Sequence, residues 1–281
     1  MKKVISASRR TDLVAFFPGW LASALRDGRA LVHGPSGRTY SVDLDPDAVH
    51  TVVLWSKNFA NLIENRHGLR RLLARYDQLY FHFTVTGLGG SSPERGAPPS
   101  ELALRQLGPL VEIAGDPGRI SLRFDPVVFW RERGKPVTNL PFFETLVSRA
   151  APLAISTIRF SIAQWYGKSR RRAIGQGFEY LDPPEEEKIG AARHLAEIAR
   201  SSGLRLFSCS QPFLTAAPGV EPSACIDGRL LQSLHPGLEE VSVAKDRTQR
   251  ADCRCTASLD IGSYAQTCPH GCVYCYANPG V

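Results

Sequence analysis

Three cysteines near the carboxyl end of the sequence constrain this chain more than any other feature. Residues 268–275 read CPHGCVYC, so Cys268, Cys272 and Cys275 are separated by three and then two residues. Three thiolates at this spacing can hold three irons of a [4Fe–4S] cluster, whereas a cluster that only transfers electrons takes four cysteines. Gly271 allows a tight turn between the ligands. The spacing therefore predicts a cluster with one iron left for another ligand.

Zinc is the alternative metal for this segment. Structural zinc sites have four nitrogen or sulfur ligands, commonly supplied by pairs of cysteines two residues apart. A triplet spaced by three and then two residues suits zinc less well than it suits a cluster. From the residues alone, both interpretations stay open, with the cluster favoured.

Four further cysteines are candidates for a second metal centre. The chain has seven cysteines, and those outside the terminal motif are Cys209, Cys225, Cys253 and Cys255. Four thiolates are the complement of a second iron–sulfur cluster or of one tetrahedral zinc ion. Alternatively, Cys209 and Cys225 are small buried apolar residues, and one of Cys253 and Cys255 caps the first cluster or has no metal.

Length and composition favour a globular protein of the cytoplasm. The chain has 281 residues, of which 43% are hydrophobic, enough for one large domain. No apolar run approaches the roughly 20 residues of a membrane span, and no apolar segment of a signal peptide follows the basic start. An odd number of cysteines argues against a disulfide framework. We therefore expect a cytoplasmic location and no membrane partner.

Short apolar segments alternate with amphipathic segments of helical period along the chain. The predicted strands cover residues 3–8, 51–55, 78–86, 119–128, 156–162, 204–209 and 240–244. The predicted helices cover residues 18–28, 59–75, 100–114, 139–151, 184–202 and 226–234. Alternation of this kind predicts an α/β fold with a parallel sheet. We expect a partial or complete (β/α) TIM-like barrel over residues 1–250, with the cysteine-rich segment 251–281 packed on it in one structural domain.

Polar residues follow or end most of the predicted strands, where barrels of this type bind their ligands. The candidates for catalysis and substrate binding share this position: Ser8, Arg9, Arg10, Asp12, Lys57, Asn58, Arg123 and Asp125. Arg123 and Asp125 would either line a cavity or form an internal ion pair, since charges inside apolar strands need partners. The net charge of +7 favours an anionic small molecule as substrate, with nucleic acid as a further candidate partner.

Two segments read as irregular. Residues 88–99 are rich in Gly, Ser and Pro and predict a loop. Residues 164–182 are too long for a simple connection, so we expect them to cover another part of the molecule. The arginines at 170–172 within this segment are suited either to phosphate binding or to a solvated surface.

Several segments together resemble the domain-of-unknown-function family 1848. They are SASRRTD (6–12), WSKN (55–58), FHFTVT (81–86), RFDPVVF (123–129), ACID (224–227), KDRTQR (245–250), CRC (253–255) and DIGSYAQTCPHGCVYCYAN (260–278). That family is described as having a carboxyl-terminal cysteine cluster similar to the CxxxCxxC loop of radical S-adenosylmethionine (radical SAM) enzymes. The resemblance implies that S-adenosylmethionine binds the free iron and that Tyr274 packs near its adenine.

The position of the cysteine loop differs from that in radical SAM barrels, where the loop follows the first strand. The resemblance therefore implies a circularly permuted barrel, in which the strand before the cysteine loop neighbours the amino-terminal strand. Ser8, Arg9, Arg10 and Asp12 would then bind the cosubstrate, since the Gly-Gly-Glu motif of those enzymes is missing here.

The resemblance implies a radical SAM-like iron–sulfur enzyme. Such an enzyme reductively cleaves S-adenosylmethionine to a 5′-deoxyadenosyl radical, which here would act on an unknown anionic substrate, with flavodoxin or ferredoxin as electron donor. Two alternatives come from other classes. One is a nucleic-acid-acting iron–sulfur protein, and the other is a zinc-stabilised binding protein on a barrel scaffold.

Overall fold

A computed structural model describes residues 1–34 and 37–277 of the chain. The helices are α1 (Leu13–Phe16), α2 (Pro18–Arg26), α3 (Ala60–Ile63), α4 (Leu69–Leu73), α5 (Ser100–Leu104), α6 (Leu107–Ala114), α7 (Phe142–Ala150), α8 (Gly167–Gly175), α9 (Glu185–Ser201) and α10 (Gly228–Leu234). The strands are β1 (Lys3–Ala7), β2 (Arg29–His33), β3 (Thr39–Asp43), β4 (Val49–Ser56), β5 (Leu79–Thr84), β6 (Ile120–Val127), β7 (Phe129–Glu132), β8 (Lys135–Thr138), β9 (Thr157–Ile162), β10 (Tyr180–Leu181), β11 (Arg205–Ser208), β12 (Val220–Pro222) and β13 (Leu259–Asp260).

Eight strands form one sheet in the order β12-β11-β9-β6-β5-β4-β1-β13, and every neighbouring pair is parallel. The predicted α/β class with a parallel sheet is confirmed, and the sheet is of the TIM-like kind. From β1 to β12 the order in space follows the order in sequence. The last strand, β13, pairs with the free edge of β1, with Ser6 opposite Asp260. The strand that precedes the cysteine loop therefore neighbours the amino-terminal strand, as expected.

The central strands are apolar along nearly their whole length because both faces of the sheet are covered. Seven of the eight residues of β4 are buried. Phe59 packs edge-to-face against Phe81 and Phe83 of β5, with ring centroids 5.6 and 5.2 Å apart. Among the described helices, none combines the length and the apolar character that crossing a bilayer requires.

The structure corrects several predicted boundaries. Residues 240–244 form no strand; the last two strands of the sheet are β12 and β13, which are too short to show an alternating pattern. The predicted helix 59–75 is interrupted where Asn65 and His67 take positive φ values of 53° and 55°. The predicted helix 100–114 is likewise divided into α5 and α6. The hairpin β2–β3 and the small sheet β10-β7-β8 were not predicted.

The carboxylate of Asp260 fastens β13 to β1. It accepts hydrogen bonds from Ser6 Oγ (2.8 Å), Ser8 Oγ (2.7 Å) and the backbone N–H of Arg9 (2.8 Å). It also accepts from the N–H of Gly262 at 2.9 Å. This single side chain therefore links the cysteine-rich segment to the end of the first strand.

Replacement of Asp260 by asparagine tests this link. Asp260→Asn removes the charge and turns an amide N–H₂ towards groups that are themselves donors, so we expect the free energy of unfolding to fall by about 2 kcal/mol or more. Urea denaturation measures it. Asp47→Asn is the matched control, because Asp47 is exposed. Equal stability of the two variants would contradict the role given to Asp260.

Candidate functional site

All seven cysteines line one cavity of about 280 Å³. The cavity lies beyond the carboxyl ends of the parallel strands, where ligand sites of such folds are found. Its wall includes residues that follow β1, β4, β11 and β12, together with the terminal cysteine loop. The fold thus brings the two predicted cysteine sets to one place, although they are far apart in sequence.

The terminal cysteines form a compact turn, here called the cysteine tripod (Cys268, Cys272 and Cys275). The N–H of Cys275 donates to the carbonyl of Cys272 at 3.1 Å, and Gly271 takes a φ of +59°, as its predicted role in the turn requires. Burial raises the pKa of all three thiols, that of Cys268 to about 11. Without a bound cation, these thiols are therefore protonated near neutral pH.

The segment 164–182 covers the tripod, as its length predicted. Helix α8 lies within it, and Arg172 of α8 donates to the carbonyls of Val273 (3.0 Å) and Cys275 (2.9 Å). Val273 is fully buried in an apolar cluster with Trp130, Trp165 and other residues of this region. Of the arginine run, Arg172 therefore binds protein carbonyls, while Arg170 and Arg171 are exposed.

A histidine inside the motif, His270, connects the tripod to the residues after β1 and to the loop at 88–99. His270 Nε2 lies 2.8 Å from Asp12 Oδ2, and His270 Nδ1 lies 3.1 Å from the carbonyl oxygen of Gly96. A side chain on Gly96 would place its Cβ 2.2 Å from the carbonyl oxygen of Pro269. The loop at 88–99 and the tripod are thus packed backbone to backbone.

A buried ion pair stands beside the tripod. Lys57 Nζ lies 2.9 Å from Glu94 Oε1, and Glu94 also accepts hydrogen bonds from Thr86 (2.6 Å) and from the hydroxyl of Tyr274. Glu94 is 1% exposed. Burial alone would lower the pKa of Lys57, but the charge of Glu94 raises it above its ordinary value. Lys57 is therefore a fixed positive charge next to the thiols.

The remaining four cysteines form a second group, here called the cysteine tetrad (Cys209, Cys225, Cys253 and Cys255). The Sγ atoms of Cys209 and Cys225 lie 3.4 Å apart, and all four cysteines belong to one packed cluster. Hydrogen bonds from Cys209 and Cys255 hold the pKa of Cys225 well below its ordinary value. The four thiols are therefore continuous in space rather than scattered in the core.

Two arginines and a tryptophan form a cationic part of the wall. The guanidinium carbons of Arg9 and Arg123 lie 5.5 and 5.1 Å from the ring centroid of Trp55. Arg123 also pairs with Asp125 and donates to Cys225 Sγ at 3.0 Å. The internal ion pair and the cavity lining, given as alternatives for Arg123 and Asp125, are thus both present.

Two other predicted site residues, Asn58 and Asp12, use their side chains to hold neighbouring groups in place. Asn58 does not line the cavity: its side-chain oxygen accepts from Ala60 N–H and from Gln106. Asp12 lines it but accepts from Ser56 Oγ, from Lys57 N–H and from Ala15 N–H at the start of α1. Both are positioning residues.

Ser8 and Arg10 lie on the side of the cavity formed by the end of β1 and the residues after β13. Ser8 Oγ is bonded to Asp260. Arg10 donates to the carbonyl of Gly262 at 2.8 Å and to the hydroxyl of Tyr40 at 3.3 Å. Both line the cavity.

Sequence reasoning missed three residues of the site. Glu94 lies in a segment read only as a loop, His270 lies between the cysteines, and Trp55 was noted only as part of a family segment. A charged residue inside a Gly/Ser/Pro-rich loop carries no periodic signal of burial. The one available hint was the closeness of His270 to three cysteines.

The Lys57–Glu94 pair gives a stability prediction. In Glu94→Gln, the Lys57 ammonium keeps its charge but loses its buried partner, so we expect a loss of about 2–4 kcal/mol in the free energy of unfolding. Urea denaturation measures it, and Glu64→Gln in the exposed Glu64–Arg66 pair is the control, with a much smaller expected effect. Similar losses in both variants would contradict the assignment of Lys57–Glu94 as a buried pair.

The covering role of Arg172 gives a second prediction. In Arg172→Met, the carbonyls of Val273 and Cys275 lose a charged donor, so this turn should open more often. We therefore expect iodoacetamide to label Cys275 roughly tenfold faster in metal-free reduced protein. Peptide mass spectrometry measures the rate. Arg171→Met, an exposed neighbour on the same helix, should label at the wild-type rate. If both variants label alike, α8 does not protect the tripod.

Comparison with known proteins gives a family but no established activity. No curated protein matches the chain. Among solved structures, a D-hydantoinase from a Bacillus species is 14% identical, with 78% of this chain and 45% of that chain covered and a TM-score of 0.32. A D-psicose 3-epimerase from Clostridium cellulolyticum is 10% identical, with 83% and 71% covered and a TM-score of 0.29. The chain thus spans less than half the length of the hydantoinase. A family model matches residues 4–277, and the chain belongs to the family described as Domain of unknown function (DUF1848).

Proposed function

We propose that this protein is a radical SAM-like iron–sulfur enzyme that acts on an anionic small molecule. One observation carries the proposal: the three thiols of the CxxxCxxC motif and a set of arginines line the same cavity at the carboxyl end of a parallel sheet. In this proposal β13 takes the place of the first strand of radical SAM barrels, so the barrel is circularly permuted relative to them.

The donor set of the tripod fits an iron–sulfur cluster. Its members are thiols, which iron–sulfur clusters take as ligands, and there are three of them on one short turn. Around one tetrahedral zinc ion with bonds of about 2.3 Å, sulfur atoms lie roughly 3.8 Å apart. Among the described residues, no three of the seven sulfurs all lie within 4.8 Å of one another. This spacing favours a cluster over a single zinc ion.

The residues of the chain have separable roles in this proposal. Cys268, Cys272 and Cys275 hold the cluster, which when bound supplies one electron for reductive cleavage of S-adenosylmethionine to a 5′-deoxyadenosyl radical. Lys57, paired with Glu94, places its ammonium group beside the thiolates. Helix α8, through Arg172, covers the tripod and keeps water from it.

The anionic character of the substrate is inferred from the arginines in the wall. Arg9 and Arg123 flank the face of Trp55, and Arg250 lies over the ring of Tyr276 with a centroid distance of 5.7 Å. Arginine binds carboxylate and phosphate groups through paired N–H donors. The aromatic rings beside these arginines offer apolar faces for a ring or a chain of the same ligand.

The test is whether the protein produces 5′-deoxyadenosine. Anaerobically reconstituted protein, reduced with dithionite and given S-adenosylmethionine, should release 5′-deoxyadenosine, measured by liquid chromatography and mass spectrometry. Cys272→Ala should release none, whereas Arg171→Met should match the wild type.

Two outcomes would overturn the proposal. One is that wild-type protein with an intact cluster forms no 5′-deoxyadenosine. The other is that the anaerobically purified protein is colourless and contains zinc, which would instead support a zinc-stabilised binding protein.

A further inference from the structure

The cysteine tetrad is held by backbone hydrogen bonds between three segments. Cys209 directly follows β11, and its N–H donates to the carbonyl of Phe160 in β9 at 2.8 Å. The N–H of Ile226, next to Cys225, donates to Cys255 Sγ at 3.4 Å, and its carbonyl accepts from Thr256 N–H at 2.9 Å. The segment that carries Cys253 and Cys255 is thus fastened to the segment that carries Cys225.

Close packing fixes this junction further. Gly228, the first residue of α10, lies so near Ser242 that a Cβ there would come within 2.5 Å of the Ser242 carbonyl oxygen. The N–H of Gly228 donates to Thr256 Oγ1 at 3.0 Å. The four thiols therefore sit on a preformed scaffold rather than on free loops, as a metal site requires.

Two arginines, Arg159 and Arg123, lie beside the tetrad, and only Arg123 is paired with a carboxylate among the described residues. Arg159 is 3% exposed. Its guanidinium donates to the hydroxyls of Tyr80, Ser121 and Ser223 and to the carbonyl of Ala224. Within residues 1–34 and 37–277, these neutral oxygens are its only hydrogen-bond or ion-pair partners. A buried cation without an anion costs several kcal/mol.

A second cation touches the tetrad directly. Arg123 donates to Cys225 Sγ at 3.0 Å. Its own charge is balanced by the ion pair with Asp125. Among the described residues, Arg159 has no carboxylate partner. A metal centre with four thiolate ligands is an anion and would balance the charge of Arg159.

We propose that Cys209, Cys225, Cys253 and Cys255 bind a second metal centre, a four-thiolate iron–sulfur cluster distinct from the one at the tripod. Four cysteines are the complete ligand set of such a cluster, so no iron is left open for a substrate. A single zinc ion is the alternative, because it needs about 3.8 Å between all four sulfurs and the Cys209 and Cys225 sulfurs lie 3.4 Å apart, although no three sulfurs of the described residues lie within 4.8 Å of one another. A cluster would require the Cys209 and Cys225 sulfurs, 3.4 Å apart in the structure, to lie farther apart.

Metal stoichiometry in two matched variants tests the proposal without any assay of activity. The wild type, a tripod variant (C268A/C272A/C275A) and a tetrad variant (C253A/C255A) are reconstituted anaerobically with iron and sulfide. We expect about eight irons and eight sulfides per chain in the wild type and about four of each in either variant. Circular dichroism confirms folding, and Cys209→Ala replaces the tetrad variant if that variant is unfolded.

The tripod variant decides the question, since it lacks the site on which the proposed function depends. About four irons in that variant, with absorbance and Mössbauer spectra of a cluster, support the second centre. Its loss of all iron, its binding of one zinc ion instead, or a disulfide between Cys209 and Cys225 in the purified wild type would overturn it. If the wild type and the tripod variant both hold about four irons and the tetrad variant holds none, the second centre stands and the proposed function falls.

Discussion

The pairing of β13 with β1 is the constraint on which the rest of the site depends. The tripod begins eight residues after β13, and the residues that face it follow β1 and β4. Asp260 enforces this geometry because its carboxylate binds side chains and backbone of the first strand at several points. Parallel neighbours end at the same edge of a sheet, so the pairing puts the cysteines and the Ser8–Asp12 segment at one edge. Without it, the two ends of the sequence would have no shared site.

Charge is the second organising factor of the cavity. Near the tripod, Lys57 is matched by Glu94, so the local protein charge is close to balanced before any metal binds. Near the tetrad, Arg123 has Asp125 while Arg159 has only neutral partners. Interior charges interact strongly because little water screens them. The two cysteine sets therefore differ in their surroundings: one lies beside a neutralised pair, and the other beside an arginine that has no carboxylate partner among the described residues.

Much of the fold was readable from the sequence because buried parallel strands are nearly continuous apolar runs. The strands from β1 to β11 of the main sheet, together with α2, α7, α9 and α10, fall within or close to the predicted ranges. The short strands β12 and β13 were not predicted, since two or three residues are too few to show a periodic pattern of apolar residues. They form through pairing with β11 and β1, a tertiary effect that a local pattern does not encode.

The site was predictable in part, because some of its residues are marked by local features of the sequence. Spacing alone identified the tripod, and strand ends identified Arg9, Lys57 and Arg123. The structure also showed why Asn58, although at a strand end, is not in the cavity: its side chain caps the turn before α3. Glu94 escaped prediction because its burial depends on Lys57 and Tyr274, which are distant in sequence.

The partnership of β1 with β13 also sets an order of events during synthesis. About 250 residues separate the two strands, so loop closure between them is among the slowest contacts the chain can make. Until residue 260 has left the ribosome, one edge of β1 offers unpaired N–H and C=O groups, the kind of edge that recruits other chains. Early intermediates are thus exposed to aggregation, and translation arrested before residue 259 yields a polypeptide with neither a closed first strand nor the terminal thiols.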